Sequence, residues 1–194
     1  MKTDISKTLN SGKLLLILLL FATSIACNQQ QPEDTKEVAE DRNDEKFENN
    51  KSESDAQFLV NASEINLMEI KLSELAERNA VAAETKELSK MMMDQHNKNQ
   101  EKLKNLAASK SISIPVTLTD EGEDKYKKLM DKKGNDFDKE YCDLTVSGHR
   151  DAIEKFEKAS TDSQDPDIKN WATTTLPALR NHLDHALTCQ TKMK

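Results

Sequence analysis

The chain has 194 residues, of which 32% are charged and only 4% are aromatic, and its formal net charge is −7. An acidic chain without a cluster of basic residues is not expected to bind nucleic acid through the phosphate backbone. It also lacks the cationic surface that attracts anionic lipids.

The first residues have the features of an export signal. Three lysines precede an apolar run over residues 14–22, which is too short to cross a bilayer as a helix. Small residues then lead to Cys27 in a pattern that resembles a bacterial lipobox. We therefore predict that residues 1–26 are a lipoprotein signal peptide and that a lipid on Cys27 is the membrane contact of an outer-membrane lipoprotein facing the periplasm. The alternative is ordinary signal cleavage, with Cys27 unmodified.

The mature chain is predicted to begin with a tether and to continue as one domain. Residues 27–53 are almost entirely polar, so they bury too little apolar surface to offset the entropy of ordering, and we expect a disordered acidic tether. Removal of residues 1–26, with their three lysines and one aspartate, changes the net charge from −7 to about −9. Residues 54–192 have the length of a single domain.

That domain is predicted to be all-α, because Leu, Ala, Glu, Lys and Met dominate it and no alternating β pattern occurs. Apolar residues recur at alternating spacings of four and three in four long segments, which predicts an up-down-up-down four-helix bundle. The segments begin near Ser54, where Gln57 completes a capping box, at residue 83, at Asn135 or Asp136, and at Pro166. A short extra helix over about 119–132, closed by Gly134, is predicted between the second and third long helices.

One glutamate or histidine stands in the apolar stripe of each long helix: Glu69, His96, His149 and His182 in turn. Glu69 and His96 are nearly equidistant from the first predicted turn, and the last two histidines are equidistant from the Asp165-Pro166 break. Two residues that face each other across a helical hairpin are equidistant from its turn. Each of these two pairs is therefore expected to be in contact across its hairpin. In an up-down-up-down bundle both turns lie at the same end, and all four residues then share one level of the core.

Two cysteines are also placed symmetrically about a predicted turn. Cys142 and Cys189 are also equidistant from the Asp165-Pro166 break, each seven residues from a seam histidine. Because disulfides persist outside the cytoplasm, we predict a bridge between the third and fourth long helices. The alternative is a pair of buried free thiols.

A carboxylate and three imidazoles in a helical core suit zinc, copper or a single iron ion better than magnesium or calcium. We predict a metal site formed by Glu69, His96, His149 and His182, with His185 as a reserve ligand, and a role in metal or redox stress handling. Whether the protein is an enzyme stays open. The Glu and Glu-x-x-His pattern of di-iron bundles is missing, which disfavours ferroxidase chemistry. The alternative is a non-enzymatic structural or interaction bundle, in which Glu69 pairs with protonated histidine in a buried hydrogen-bond layer.

Several stretches resemble a bacterial envelope family of ferritin-like bundles, a family of unknown function whose members are often labelled outer membrane proteins. They are residues 68–76, 93–96, 137–141, 147–150 and 176–183. The resemblance implies a ferritin-like four-helix fold and an envelope location, and it implies no established activity. The family pattern has Asp directly before the histidine of the second helix. Gln95 stands there in this chain, after Asp94, and this departure puts the supporting role of Asp94 in doubt.

Overall fold

Six α-helices and no β-strand are found in residues 33–47 and 50–193, which are the residues described by this computed structural model. The helices are α1 (Thr35–Asp44), α2 (Asn50–Asn79), α3 (Ala83–Lys110), α4 (Asp120–Met130), α5 (Asn135–Asp162) and α6 (Pro166–Lys192). The predicted signal peptide and Cys27 lie outside the described residues. Within those residues, none of the helices combines the length and the apolarity that a bilayer crossing requires.

The helix starts follow the capping chemistry of the sequence, with two differences. The Asp165 carboxylate accepts the backbone N–H of Ile168 at 3.2 Å, and Pro166 occupies the first turn of α6, as predicted. However, α2 begins at Asn50, so Ser54 lies inside the helix rather than at its cap. Gly134 does not close α4 either: at φ 57° it is the N-cap of α5, in a left-handed conformation that glycine adopts readily.

The four long helices pack side by side. The most extensive contacts join α2 to α3 and α5 to α6, the two pairs that are connected by short turns. Smaller contacts join α2 to α5 and α3 to α6, so each pair lies against the other. The short helix α4 packs on α2 and α5, and α1 packs on α2. The prediction of an all-helical domain with a short helix between the second and third long helices is confirmed.

The direction of the helices differs from the predicted up-down-up-down order. Asp138, in the first turn of α5, accepts the backbone N–H groups of Val81 (3.1 Å) and Ala82 (2.7 Å) in the α2–α3 turn. Asp55, near the start of α2, accepts the N–H of Asp165 in the α5–α6 turn at 2.9 Å. The two turns therefore lie at opposite ends of the domain. The long helices run up, down, down and up.

The segment between α3 and α5 makes this order possible. It must travel the length of α3, which is about 42 Å for its 28 residues. Residues 111–119 are non-helical and can span about 30 Å, and the 11 residues of α4 add about 16 Å. The segment lies along α2, where the Pro115 carbonyl accepts the Ser63 hydroxyl at 2.8 Å. An up-down-up-down order would need only a short return at the same end of the domain, whereas the reach of this segment allows α5 to begin at the opposite end.

The core consists of two apolar clusters with a polar layer between them. One cluster lies at the end of the α5–α6 turn and includes Leu59, Phe156 and Trp171. The other lies at the end of the α2–α3 turn and includes Met92 and Tyr141. Buried polar side chains from α2, α3, α5 and α6 separate the two: Ser63, Asn66, Glu69, His96, Gln100, Thr145, His149 and His182.

Part of the expected tether is ordered. Helix α1 falls within residues 27–53, and its Asn43 side chain is buried, donating to the Ser113 carbonyl (2.9 Å) and accepting the Ser113 N–H (2.8 Å). Lys36 binds Glu64 of α2 at 2.7 Å. Over Thr35–Asp44 the structure is therefore helical where the composition predicted a disordered tether. The composition did not indicate this helix, because polar contacts to α2 and to the segment between α3 and α5 hold it in place rather than an apolar stripe.

The predicted disulfide is present. Cys142 of α5 and Cys189 of α6 are bonded, with Cα atoms 6.0 Å apart, and both side chains are buried in the cluster at the α2–α3 end. The bond closes a loop with a sequence separation of 47 residues, which contains the α5–α6 turn.

We expect the free energy of unfolding of the double variant Cys142→Ser/Cys189→Ser to be about 2–4 kcal/mol lower than that of the native protein. Without the disulfide, the unfolded chain has more conformational entropy. Chemical denaturation followed by circular dichroism measures the difference. Reductant should destabilise the native protein by a similar amount and leave the variant unchanged. Equal stability of native and variant proteins would contradict the expectation.

Candidate metal centre

Three histidines from three helices converge at the centre of the polar layer. His96 of α3, His149 of α5 and His182 of α6 are all at most 3% exposed. His149 Nε2 lies 3.3 Å from His96 Nε2 and 3.2 Å from His182 Nδ1. One nitrogen of each ring therefore faces the other two rings, and these nitrogens all lie within 4.8 Å of one another. The sequence prediction that these three residues meet agrees with this geometry.

The other nitrogen of each ring faces an oxygen acceptor. His149 Nδ1 lies 2.9 Å from the Thr145 carbonyl, one turn back on α5. His96 Nδ1 lies 2.9 Å from Asn66 Oδ1 on α2. His182 Nε2 lies 2.7 Å from Gln95 Oε1 on α3. Since a neutral imidazole carries one N–H, these contacts place the N–H of each ring on its outer nitrogen.

The three inner nitrogens consequently carry no hydrogen, and their lone pairs face one another. Burial lowers the pKa of His149 to about 4. Burial, and then the neighbouring His149, lower the pKa of His182 to about 4, and burial lowers that of His96 well below its usual value. All three rings therefore favour the neutral form at neutral pH. No proton bridges the inner nitrogens in that form, so the cluster offers three acceptors and no donor.

This arrangement fits a transition-metal ion. In a tetrahedral site with metal–nitrogen bonds of about 2.0–2.1 Å, neighbouring ligand nitrogens lie about 3.3–3.4 Å apart. Two of the three nitrogen separations, 3.3 and 3.2 Å, are close to that edge, and the third is no longer than 4.8 Å. Outward hydrogen bonds from ligating histidines are also typical of metal sites, because they fix the tautomer and the ring orientation.

Glu69 does not join the converging group, although the sequence predicted it as a ligand. Its side chain is fully buried, but Oε1 lies 3.5 Å from His149 Nδ1, the outer nitrogen of that ring. That N–H already donates to Thr145, and neither Glu69 oxygen has a hydrogen-bond partner among the described residues. The Glu69 carboxyl group thus lies in the polar layer but on the outer side of the His149 ring, away from the converging nitrogens.

The environment of Glu69 favours its protonated form. Burial raises the pKa of its carboxyl group to about 8, against a smaller opposing effect of Lys125. The contact with His149 is therefore between two groups that both prefer to be neutral, and it is not an ion pair. On the other side, the carboxyl group lies against Gly148 of α5: a Cβ atom at that position would be 2.8 Å from Glu69 Oε1. The absent side chain of Gly148 provides the space for the carboxyl group.

Two other residues considered in the sequence lie away from the centre. His185, the predicted reserve ligand, is exposed on α6 and is not part of the histidine cluster. Asp94 is exposed and binds Lys98 at 2.7 Å, so it supports none of the three rings. The adjacent Gln95 contacts His182 instead.

The outer acceptors of the three rings were not among the residues predicted from the sequence. Asn66 precedes Glu69 by three residues, so it shares a helix face with it, and this spacing was a usable signal. Gln95 is next to His96 in the chain but contacts a histidine of another helix, which only the packing of α3 against α6 determines. Thr145 acts through its backbone carbonyl, which carries no sequence signal.

Comparison with known proteins gives a family and a fold. A family model described as a domain of unknown function (DUF4142) matches residues 40–188. A conserved hypothetical protein, rv2844, from Mycobacterium tuberculosis has a similar crystal structure, with a TM-score of 0.56 and 12% sequence identity, over 70% of this chain and 96% of the other. At that identity the similarity concerns the fold alone. No curated protein matches the sequence.

In the metal-free protein, the contribution of Glu69 to stability should decrease as the pH rises from about 4.5 to about 8, because native Glu69 retains its proton across this range whereas unfolded Glu69 does not. Glu69→Gln keeps the shape and removes this titration. After chelation it should melt at least about 3 °C above the native protein at pH 8.5. Both proteins should destabilise below about pH 6.5, because the buried histidines resist protonation. Parallel melting curves from pH 5 to 9, measured by circular dichroism, would contradict this.

Gly148→Ala should destabilise the protein by about 1–3 kcal/mol, since the new methyl group overlaps the buried Glu69 carboxyl group. In a Glu69→Ala background the overlap is gone, and the same substitution should stabilise α5 by up to about 1 kcal/mol through helix propensity. The four proteins form a double-mutant cycle that urea denaturation can measure. The same sign of the Gly148→Ala effect in both backgrounds would contradict the assignment.

Proposed function

The chain belongs to the DUF4142 family of domains of unknown function, and for this member we propose the binding of one transition-metal ion by His96, His149 and His182. One observation carries the proposal: three buried imidazoles, each with its N–H directed outward to an oxygen, bring three lone pairs to within one metal coordination shell. A cation is the partner that such a set of acceptors lacks.

The donor set narrows the choice of ion. Three imidazole nitrogens suit zinc, copper or iron, and magnesium and calcium prefer oxygen ligands. Three protein ligands leave one position of a tetrahedral ion for water or another small molecule, as in catalytic zinc sites, whereas structural zinc sites have four protein ligands. We propose metal or redox stress handling as the role of this centre, with binding as its first step.

Glu69 is proposed as a positioning residue. Its carboxyl group lies behind the ring of His149, at the nitrogen that points away from the ion site. A bound ion would favour the ionised form of this carboxyl group, which would then help to hold the His149 ring and compensate part of the charge of the ion.

The alternative function, a structural bundle with a Glu/His hydrogen-bond layer, has less support. It requires Glu69 to pair with a protonated histidine. The Glu69 oxygens have no hydrogen-bond partner among the described residues, and burial lowers the pKa of the nearest histidine, His149. A layer that existed only to fix helix register would satisfy its own acceptors.

We also propose that the domain is a ferritin-like four-helix bundle in the bacterial cell envelope. One long crossover between the second and third long helices, as residues 111–134 provide here, is the connection that distinguishes ferritin-like bundles from simple up-down-up-down bundles. The envelope location is supported by the apolar run and the lipobox-like cysteine of the first 27 residues. A lipid on Cys27 would attach the acidic domain to the outer membrane, facing the periplasm.

Metal analysis of untagged protein tests the proposal. Gentle purification followed by inductively coupled plasma mass spectrometry should give about one zinc, copper or iron per chain. His149→Ala should retain less than about a tenth of that and melt about 5–10 °C lower, and chelation of the native protein should reproduce the shift.

His185→Ala is the matched control, because His185 is exposed and lies outside the cluster. It should keep the metal content and the melting temperature of the native protein. A metal content far below one per chain, together with melting that neither chelator nor added zinc changes, would refute metal binding and favour the structural role.

A further inference from the structure

A cleft between α3 and α6 leads from the surface to the candidate metal centre. It has a volume of about 280 Å³, and the residues that line it include His96, Asn99, Lys102, Trp171, Ala178 and His182. Two of the three candidate ligands are therefore part of its wall. The volume is at the small end of the range for ligand sites.

The charge of the cleft is opposite to that of the chain. Its lining contains Lys98 and Lys102 and no acidic residue, although the chain carries 35 acidic residues and a net charge of −7. Lys98 is bound to Asp94, but Lys102 has no ion-pair partner among the described residues. A bound metal ion would add further positive charge. The cleft is suited to an anion.

The cleft also has an apolar wall. Trp171, Ala178 and Leu179 contribute its apolar surface, and Trp171 is only 8% exposed. An apolar wall beside positive charge suits an organic anion better than a bare inorganic ion.

We propose that this α3–α6 cleft binds a small carboxylate-bearing molecule, which completes the coordination of the ion held by the three histidines. The carboxylate occupies the position that three protein ligands leave open, and the apolar part of the molecule lies against Trp171 and Leu179. Lys102 attracts the anion at the rim. The inference rests on the proposed metal binding and adds the class of molecule that shares the centre.

Cobalt-loaded protein tests the proposal, because the visible absorption of Co²⁺ changes with its ligands. Metal analysis first establishes the cobalt content of each protein. The native protein is then titrated with acetate at constant ionic strength, and with acetamide as the uncharged analogue of similar shape. Acetate should change the spectrum with saturation, and acetamide should not.

Two pairs of variants locate the site. Ala178→Trp fills the cleft and should weaken acetate binding at least tenfold, whereas Thr173→Trp places the same side chain on exposed α6 surface outside it. Lys102→Glu should weaken binding about threefold to tenfold through charge, whereas Lys104→Glu makes the same change outside the cleft. Both controls should bind like the native protein. The Lys102 and Lys104 positions are exposed, so this pair remains informative even where Ala178→Trp does not fold.

The outcomes separate the two proposals. Stoichiometric cobalt with no spectral response to acetate, or with equal responses in the cleft variants and their controls, overturns the cleft proposal and leaves metal binding intact. Equal responses to acetate and acetamide overturn the anion preference. Absence of bound cobalt in the native protein overturns metal binding, and the cleft proposal with it.

Discussion

Each of three imidazole rings at the centre of this domain donates its N–H outward, to Asn66, to the Thr145 carbonyl or to Gln95. The acceptors of His96 and His182 lie on other helices, so the tautomers of these two rings depend on the correct packing of the domain, whereas Thr145 lies on the same helix as His149. Because every N–H is already used, the inner nitrogens can only accept. The chemistry available to the centre follows from these outer hydrogen bonds as much as from the histidines themselves.

A polar layer of this kind needs rigid surroundings. The apolar cluster with Phe156 and Trp171 supports it from one side, and the cluster with Tyr141 supports it from the other. The bond between Cys142 and Cys189 joins α5 to α6 within the second cluster, two turns from the layer. The two histidines on these helices are therefore held on a covalently closed pair, whereas His96 is brought to them by noncovalent packing of α3.

The sequence was sufficient to predict that the three histidines share one layer, although it led to the wrong helix direction. His96 and His149 lie almost at the midpoints of α3 and α5, and His182 lies close to that of α6. A residue at the middle of a helix stays at the same level when the helix is reversed, so the error in topology did not separate them. The short turns predicted correctly which helices are neighbours. The crossover, the ordered α1 and the side of Glu69 depend on long-range packing, which hydrophobic periodicity does not report.

The crossover gives the domain two unlike faces. Residues 111–119 and α4 lie over α2 and α5 as a second layer, while the seam between α3 and α6 on the opposite face has no such cover among the described helices. An ion or small molecule that binds at the centre would therefore enter and leave between α3 and α6. Changes to the outer surface of the crossover should leave the exchange of a bound ion or small molecule unaffected. A partner protein that binds along the α3–α6 seam would block that exchange.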